Sequence, residues 1–180
     1  MTLKLHLSVA VSGAVRSAEA ATRFGIRERL SLANGIGPRQ VDKVWADRRT
    51  LSAGAHEDLD LADGLADAFA RPIALEELRL IWIAAAAGNP HDVLLGGGSG
   101  FTAPFAAAND TLRVRPGGVL VLTAPAGGQW TVDPDAAALR IANGGGSGPV
   151  TFDIVLIGSN GPDFDFTDDG NPLIAVLAQG

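Results

Sequence analysis

The chain has 180 residues, with 14 lysines and arginines against 20 aspartates and glutamates, a formal net charge of −6, 47% apolar residues and no cysteine. That length suffices for one domain with its own core, and the missing cysteines remove disulfides, Cys-ligated zinc and thiol nucleophiles together. The acidic balance argues against a nucleic-acid surface, no apolar run reaches transmembrane length, and the N-terminus alternates where a signal peptide would be solidly apolar. A soluble, cytoplasmically made chain is therefore expected, with neither nucleic acid nor membrane as partner. The 23 glycines and 10 prolines fall between apolar runs, which is turn punctuation and favours an all-β protein.

In chain order, Leu3, Leu5, Leu7, Val9 and Val11 alternate with Lys4, His6 and Ser8, predicting a strand with one apolar face. Residues 17–29 contain the helix formers Glu19, Ala20 and Ala21, yet the alternation from Arg23 onward favours a strand, interrupted at Gly25. Asn34-Gly35 marks a turn. Residues 41–51 hold Trp45 and the charged cluster Asp47-Arg48-Arg49, residues 58–61 alternate as a short strand, and residues 62–70 suit a loop or a single helical turn. Residues 78–83 are apolar on both faces, as in a central, buried strand, and residues 91–95 form another short one.

Residues 109–158 read as a run of short strands joined by tight turns. Leu112 and Val114 should face a core with Arg113 and Arg115 in water, and Pro116-Gly117-Gly118 should close a hairpin with residues 119–123. Trp130 and Val132 share a face, Leu139 and Ile141 flank Arg140, and Val150, Phe152 and Ile154 oppose Thr151 and Asp153. The pentapeptide Gly-Gly-Gly-Ser-Gly occurs at 96–100 and 144–148. Neither copy is followed by the Lys and Ser or Thr of a nucleotide loop, so both are expected to be loose connections. The whole predicts an antiparallel β-sandwich with Greek-key or jelly-roll links over residues 1–158, and a C-terminal arm or last strand over residues 159–180.

Four stretches carry a resemblance: Gln40-Val-Asp-Lys-Val-Trp-Ala-Asp-Arg-Arg-Thr-Leu51, Glu57-Asp-Leu-Asp-Leu-Ala-Asp-Gly-Leu65, Val114-Arg-Pro-Gly-Gly118 and Val150-Thr-Phe-Asp-Ile-Val-Leu-Ile-Gly158. In order and spacing, over residues 33–158, they resemble small virion structural proteins of tailed bacteriophages and gene transfer agents. The resemblance implies a β-sandwich particle component, attached to the head as a decoration or spike, without enzymatic activity or catalytic residues. Its partners would be further copies of itself and other virion proteins such as the major capsid protein. Residues 159–180 depart from the pattern.

The individual residues point away from catalysis. His6, His56 and His91 lack a second His at metal spacing, no Gly-x-Ser-x-Gly occurs, and Asp58, Asp60, Asp63 and Asp67 alternate with leucines as a solvated face would. No cofactor is expected. Asp163, Asp165, Asp168 and Asp169 crowd one segment, but its glycine falls late for an EF-hand and the closing glutamate is missing, so a solvated acidic loop is preferred over a calcium site. Phe164 and Phe166 alternate with those aspartates, and Leu173, Ile174, Val176 and Leu177 form an apolar run near the end of the chain. These six residues are the expected assembly interface, an arm that adds to a neighbouring subunit's sheet; the competing reading is a last strand of the same sandwich. Trp82 should be core. Trp45 and Trp130 are the candidate ligand contacts for the rival function, a tail-tip or spike module binding host-surface polysaccharide. Arg113, Arg115, Arg140 and the 47–49 cluster should lie on polar, inter-subunit faces.

Overall fold

The computed structural model describes residues 5–16, 21–37, 39–67, 69–124 and 129–161, and among them the only helical piece is the 3-10 turn Pro134–Ala136. Alternating sequence becomes strand throughout. In order they are β1 (Leu5–Arg16), β2 (Ala21–Asn34), β3 (Gln40–Val41), β4 (Lys43–Leu51), β5 (His56–Asp60), β6 (Leu65–Ala66), β7 (Pro72–Ile73), β8 (Glu77–Ala85), β9 (Val93–Gly96), β10 (Thr111–Val114), β11 (Val119–Thr123), β12 (Trp130–Thr131), β13 (Ala138–Asn143) and β14 (Val150–Ser159). Two four-stranded antiparallel paths form the body. One runs β11-β8-β14-β4, with β12 also paired to β8, and the other runs β10-β9-β13-β5.

The two sheets close on one apolar core. Period-2 alternation sends Ile81 and Ile83 of β8 and Phe152, Ile154 and Leu156 of β14 inward, against Val93 and Leu95 of β9 and Leu139 and Ile141 of β13. Each of these residues is essentially fully buried. Burial of a side chain of this size contributes roughly 1.5–3 kcal/mol, so this layer holds the sheets together without disulfide or metal.

Pairing follows a single geometric plan. If the chain is doubled back at the loop after β9, then β9 faces β10, β8 faces β11, β5 faces β13 and β4 faces β14, and all four of these pairs are hydrogen-bonded. Rolling that doubled ribbon then joins β14 to β8 and β13 to β9, closing each sheet. The expected all-β antiparallel sandwich is the fold. Val114 is buried and Arg113 and Arg115 are exposed, as the alternation requires.

Three local expectations are overturned. Residues 111–114 and 119–123 do not form a hairpin: β10 pairs β9 in one sheet and β11 pairs β8 in the other, so Pro116-Gly117-Gly118 carries the chain across the sandwich edge. Turn chemistry specifies a reversal but not the sheet that receives the next strand. Gly25 does not interrupt β2, which pairs with β1 without a register break. The glycine pentapeptides are packed connections and not loose coil, the first leaving β9 towards β10 of the same sheet and the second crossing from β13 to β14 of the other. A Cβ at Gly100 would lie 2.5 Å from the Ala138 carbonyl oxygen, and one at Gly145 2.2 Å from the His91 ring. Buried Asn143 pins the second crossing: its Nδ2 donates to the carbonyls of Ser52 and Gly148 at 3.0 Å, and its Oδ1 accepts from Gly145 N at 3.1 Å.

Candidate assembly surface

The most unusual feature is the ribbon formed by β1 and β2. The strands pair over twelve positions, from Leu5 opposite Leu32 to Arg16 opposite Ala21. At about 3.3 Å per residue this ribbon is about 40 Å long. Its root packs on the body. There Leu32 is buried with Val41, Leu80 and Ile157, and Leu5, Leu7, Leu30, Val44, Trp82 and Val155 pack around them on the outer face of the β11-β8-β14-β4 sheet.

Past the root the apolar residues of this face are exposed. Val9 is 48%, Val11 58%, Phe24 50% and Ile26 66% exposed, whereas Leu32, on the same face, is 2% exposed. Phe24 lies across Gly13, where a Cβ would meet its ring at 2.5 Å, so glycine is needed for that close approach. The register places Arg16, Arg23, Arg27 and Arg29 together on the opposite face, facing the small residues Ala21, Ala14, Ala10 and Ser8. All four arginines are exposed, and no ion pair with another described residue engages them. The arm is therefore amphipathic, with one side apolar apart from Glu28 opposite Val9 and the other basic, on a chain that is acidic overall.

A buried polar cluster fixes the root. β8 pairs Leu80 with Ile157 and Leu78 with Gly158, leaving Arg79 as the extra residue of a β-bulge that re-aims its side chain. Arg79 is fully buried; its Nη2 donates to Glu77 Oε2 at 2.9 Å, and Ser159 Oγ donates to the same oxygen at 3.2 Å. Arg79 Nη2 also reaches the Gly37 carbonyl at 3.5 Å, in the segment between β2 and β3.

Beside the root lies a cleft of about 500 Å³ lined by Val44, Trp45, Asp67, Phe69, Arg71 and Ile73, among others. The Arg71 guanidinium stands 5.3 Å from the Phe69 ring centre, and Phe69 is 72% exposed. Asp67 accepts from Arg71 Nε at 2.7 Å and from the backbone N of Phe69 and Arg71 at 2.8 and 2.9 Å. These bonds, led by the Arg71 side chain, hold the Asp67 carboxyl below the usual carboxylate range. An ionised, fully occupied carboxylate shapes this loop and is no proton donor.

The residues singled out from the sequence scatter. Trp45 is only 4% exposed, because alternation along β4 turns it inward; its ring carries Arg49 at 5.5 Å, and it reaches the cleft only as part of its wall. Trp130 is half-buried against the main core, and Trp82 lies on the outer sheet face under the arm root instead of in the central core. Arg48 makes two bonds to Asp153, at 2.7 and 2.9 Å, and Arg140 two to Asp58, at 2.8 and 2.7 Å. Each pair spans neighbouring strands of one copy, so these arginines are used within the chain. Arg113 bonds Asp92 at 3.3 Å, Arg49 reaches Glu57 and Asp47, and His91 Nε2 lies 2.9 Å from Ser147 Oγ. Among the described residues no group of three or more His, Asp or Glu is placed to hold a metal ion, and no helix is long and apolar enough to cross a membrane. Phe164, Phe166, Leu173, Ile174, Val176, Leu177 and the acidic loop at 163–169 lie outside the described residues. The exposed arm was missed from sequence, although its signal was there: two alternating runs, at 3–11 and 23–32, with arginines phased against apolar residues in the second.

No model of a known protein family matches the chain, and a search of curated proteins finds no match.

Proposed function

We propose that this chain is a non-enzymatic structural component of a phage or phage-like particle, a capsid-attached decoration or head-spike protein that acts by symmetric self-assembly. The observation that carries the proposal is the amphipathic arm, whose apolar face runs on past the body. A two-stranded ribbon is marginal in water by itself, and an exposed apolar face with open strand edges is stabilised when another subunit covers it. The wiring adds support. A doubled ribbon rolled into two sheets is the jelly-roll plan, which recurs in viral capsid and lectin domains and in cupins, although a shared fold alone does not assign a role. The resemblance of residues 33–158 to small virion proteins points the same way.

Polysaccharide binding at a tail tip is the second reading. It rests on the cleft beside Phe69 and Arg71, an exposed ring next to a cation and a carboxylate, where Trp45 is a buried part of the wall and Trp130 is absent from the lining. Locating the chain's density in particles by electron microscopy tests the proposal. Regular sites on the capsid are expected; density confined to the tail tip, or none, would overturn it.

A further inference from the structure

We propose that the arm of one copy receives residues 163–166 of a second copy as an added strand, an inference that rests on the assembly proposed above. The arm defines what fits it. Among the described residues β1 pairs only with β2, and β2 has a further partner only at Ala33 and Asn34, where β3 lies, so past the root no other described strand pairs with either long edge. A strand added there must alternate apolar residues, to extend the face of Val9, Val11 and Ile26, with acidic residues, to meet the arginine face. Asp163-Phe164-Asp165-Phe166 has that alternation. Asp163 and Asp165 are two residues apart, as are Arg27 and Arg29, so both pairs repeat at about 7 Å along extended chain.

Reach decides between the same copy and another. Gly161 packs at the arm root, where a Cβ would lie 3.1 Å from Ile36 Cδ1. Arg27 and Arg23 stand seven and eleven residues along β2 from Asn34, about 23 and 36 Å at the strand rise. Phe166 is five residues beyond Gly161 and reaches at most about 17 Å. Arg29 lies within that reach but Arg27 and Arg23 do not, so the stretch cannot meet the Arg27 and Arg29 pair of its own copy, while that of a second copy is not so limited. Sheet augmentation then supplies affinity through backbone bonds, and the Asp–Arg pairs set the register.

The cysteine-free chain makes the test direct. Full-length Arg27→Cys and Asp165→Cys proteins, mixed and oxidised, should give a mixed interchain disulfide identified on a non-reducing gel and by peptide mass. In unmodified cysteine-free protein, Arg27→Asp with Arg29→Asp should weaken association about tenfold, and Asp163→Arg with Asp165→Arg in the same chain should restore it. Assembly of the wild type without the mixed disulfide, a bridge between two Arg27→Cys chains only, or an intrachain disulfide in the doubly substituted monomer would each overturn this inference and leave self-assembly standing. A wild type that stays monomeric by light scattering would remove both.

Discussion

Leu32→Ala separates the arm from the body and is the sharpest test of how the two are joined. Leu32 is 2% exposed and packs with Val41, Leu80 and Ile157, a cluster distinct from the core between the sheets. Truncating a buried leucine costs about 2–5 kcal/mol, depending on how far the surroundings relax. Here the neighbours Leu5, Leu7, Leu30 and Val44 are themselves only partly buried, so the site can collapse, and about 2–3 kcal/mol is expected. Ile154→Ala, at 0% exposure between the sheets, should cost about 3–5 kcal/mol. The two losses should also differ in kind. In hydrogen exchange, Leu32→Ala should abolish protection of β1 and β2 amides while β8, β13 and β14 keep theirs; Ile154→Ala should lower protection throughout. If Leu32→Ala reduces protection uniformly, the arm and sandwich form one cooperative unit, and the division into a body and a docked arm is wrong.

Other changes probe the contacts that shape the body. Asn143→Ala removes the side-chain donor from the carbonyls of Ser52, which keeps the Ala55 N–H, and of Gly148, and should cost about 1–3 kcal/mol in urea denaturation; a loss below about 0.5 kcal/mol would show that the second glycine crossing is not held by this side chain. Gly158→Ala would place a Cβ 2.0 Å from the Glu77 carbonyl oxygen beside the bulge, so β14 must shift and about 1–3 kcal/mol should be lost; an unchanged midpoint would contradict the tight crossing. Acid should destabilise the fold. Side-chain bonds from Arg140, Arg71 and Arg48 lower the carboxyls of Asp58, Asp67 and Asp153 respectively. A depressed folded value gives stability that is present above the unfolded value near about 4 and lost as pH falls through the folded one, so urea midpoints should hold from neutrality to about pH 5 and drop below about pH 4. A midpoint that rises on acidification would refute these pairings.

Much of the body was legible because side chains along a strand alternate with a period of two. The inward sets at Leu139 and Ile141, and at Val150, Phe152 and Ile154, followed from spacing alone. Wiring was not legible. Pro116-Gly117-Gly118 announces a turn, but only the packing of Val114 under one sheet and the pairing of Leu120 and Leu122 with β8 decide that the turn changes sheets. Trp45 was misplaced for a related reason: among residues as polar as Asp47-Arg48-Arg49 it looked exposed, yet the same alternation that exposes Arg48 turns Trp45 inward. The arm was hidden because an alternating strand implies a buried face, and sequence does not say whether the same chain or another supplies the cover.

The central claim is that the apolar face of the arm is an assembly surface, and the mass of the purified full-length chain by light scattering over a concentration series tests it most directly. The wild type should assemble into a defined oligomer, and Val11→Lys with Ile26→Lys should return it to the monomer without lowering the urea midpoint of the sandwich. A wild type that remains a monomer at high concentration, or a doubly substituted chain that assembles as the wild type does, would contradict the claim.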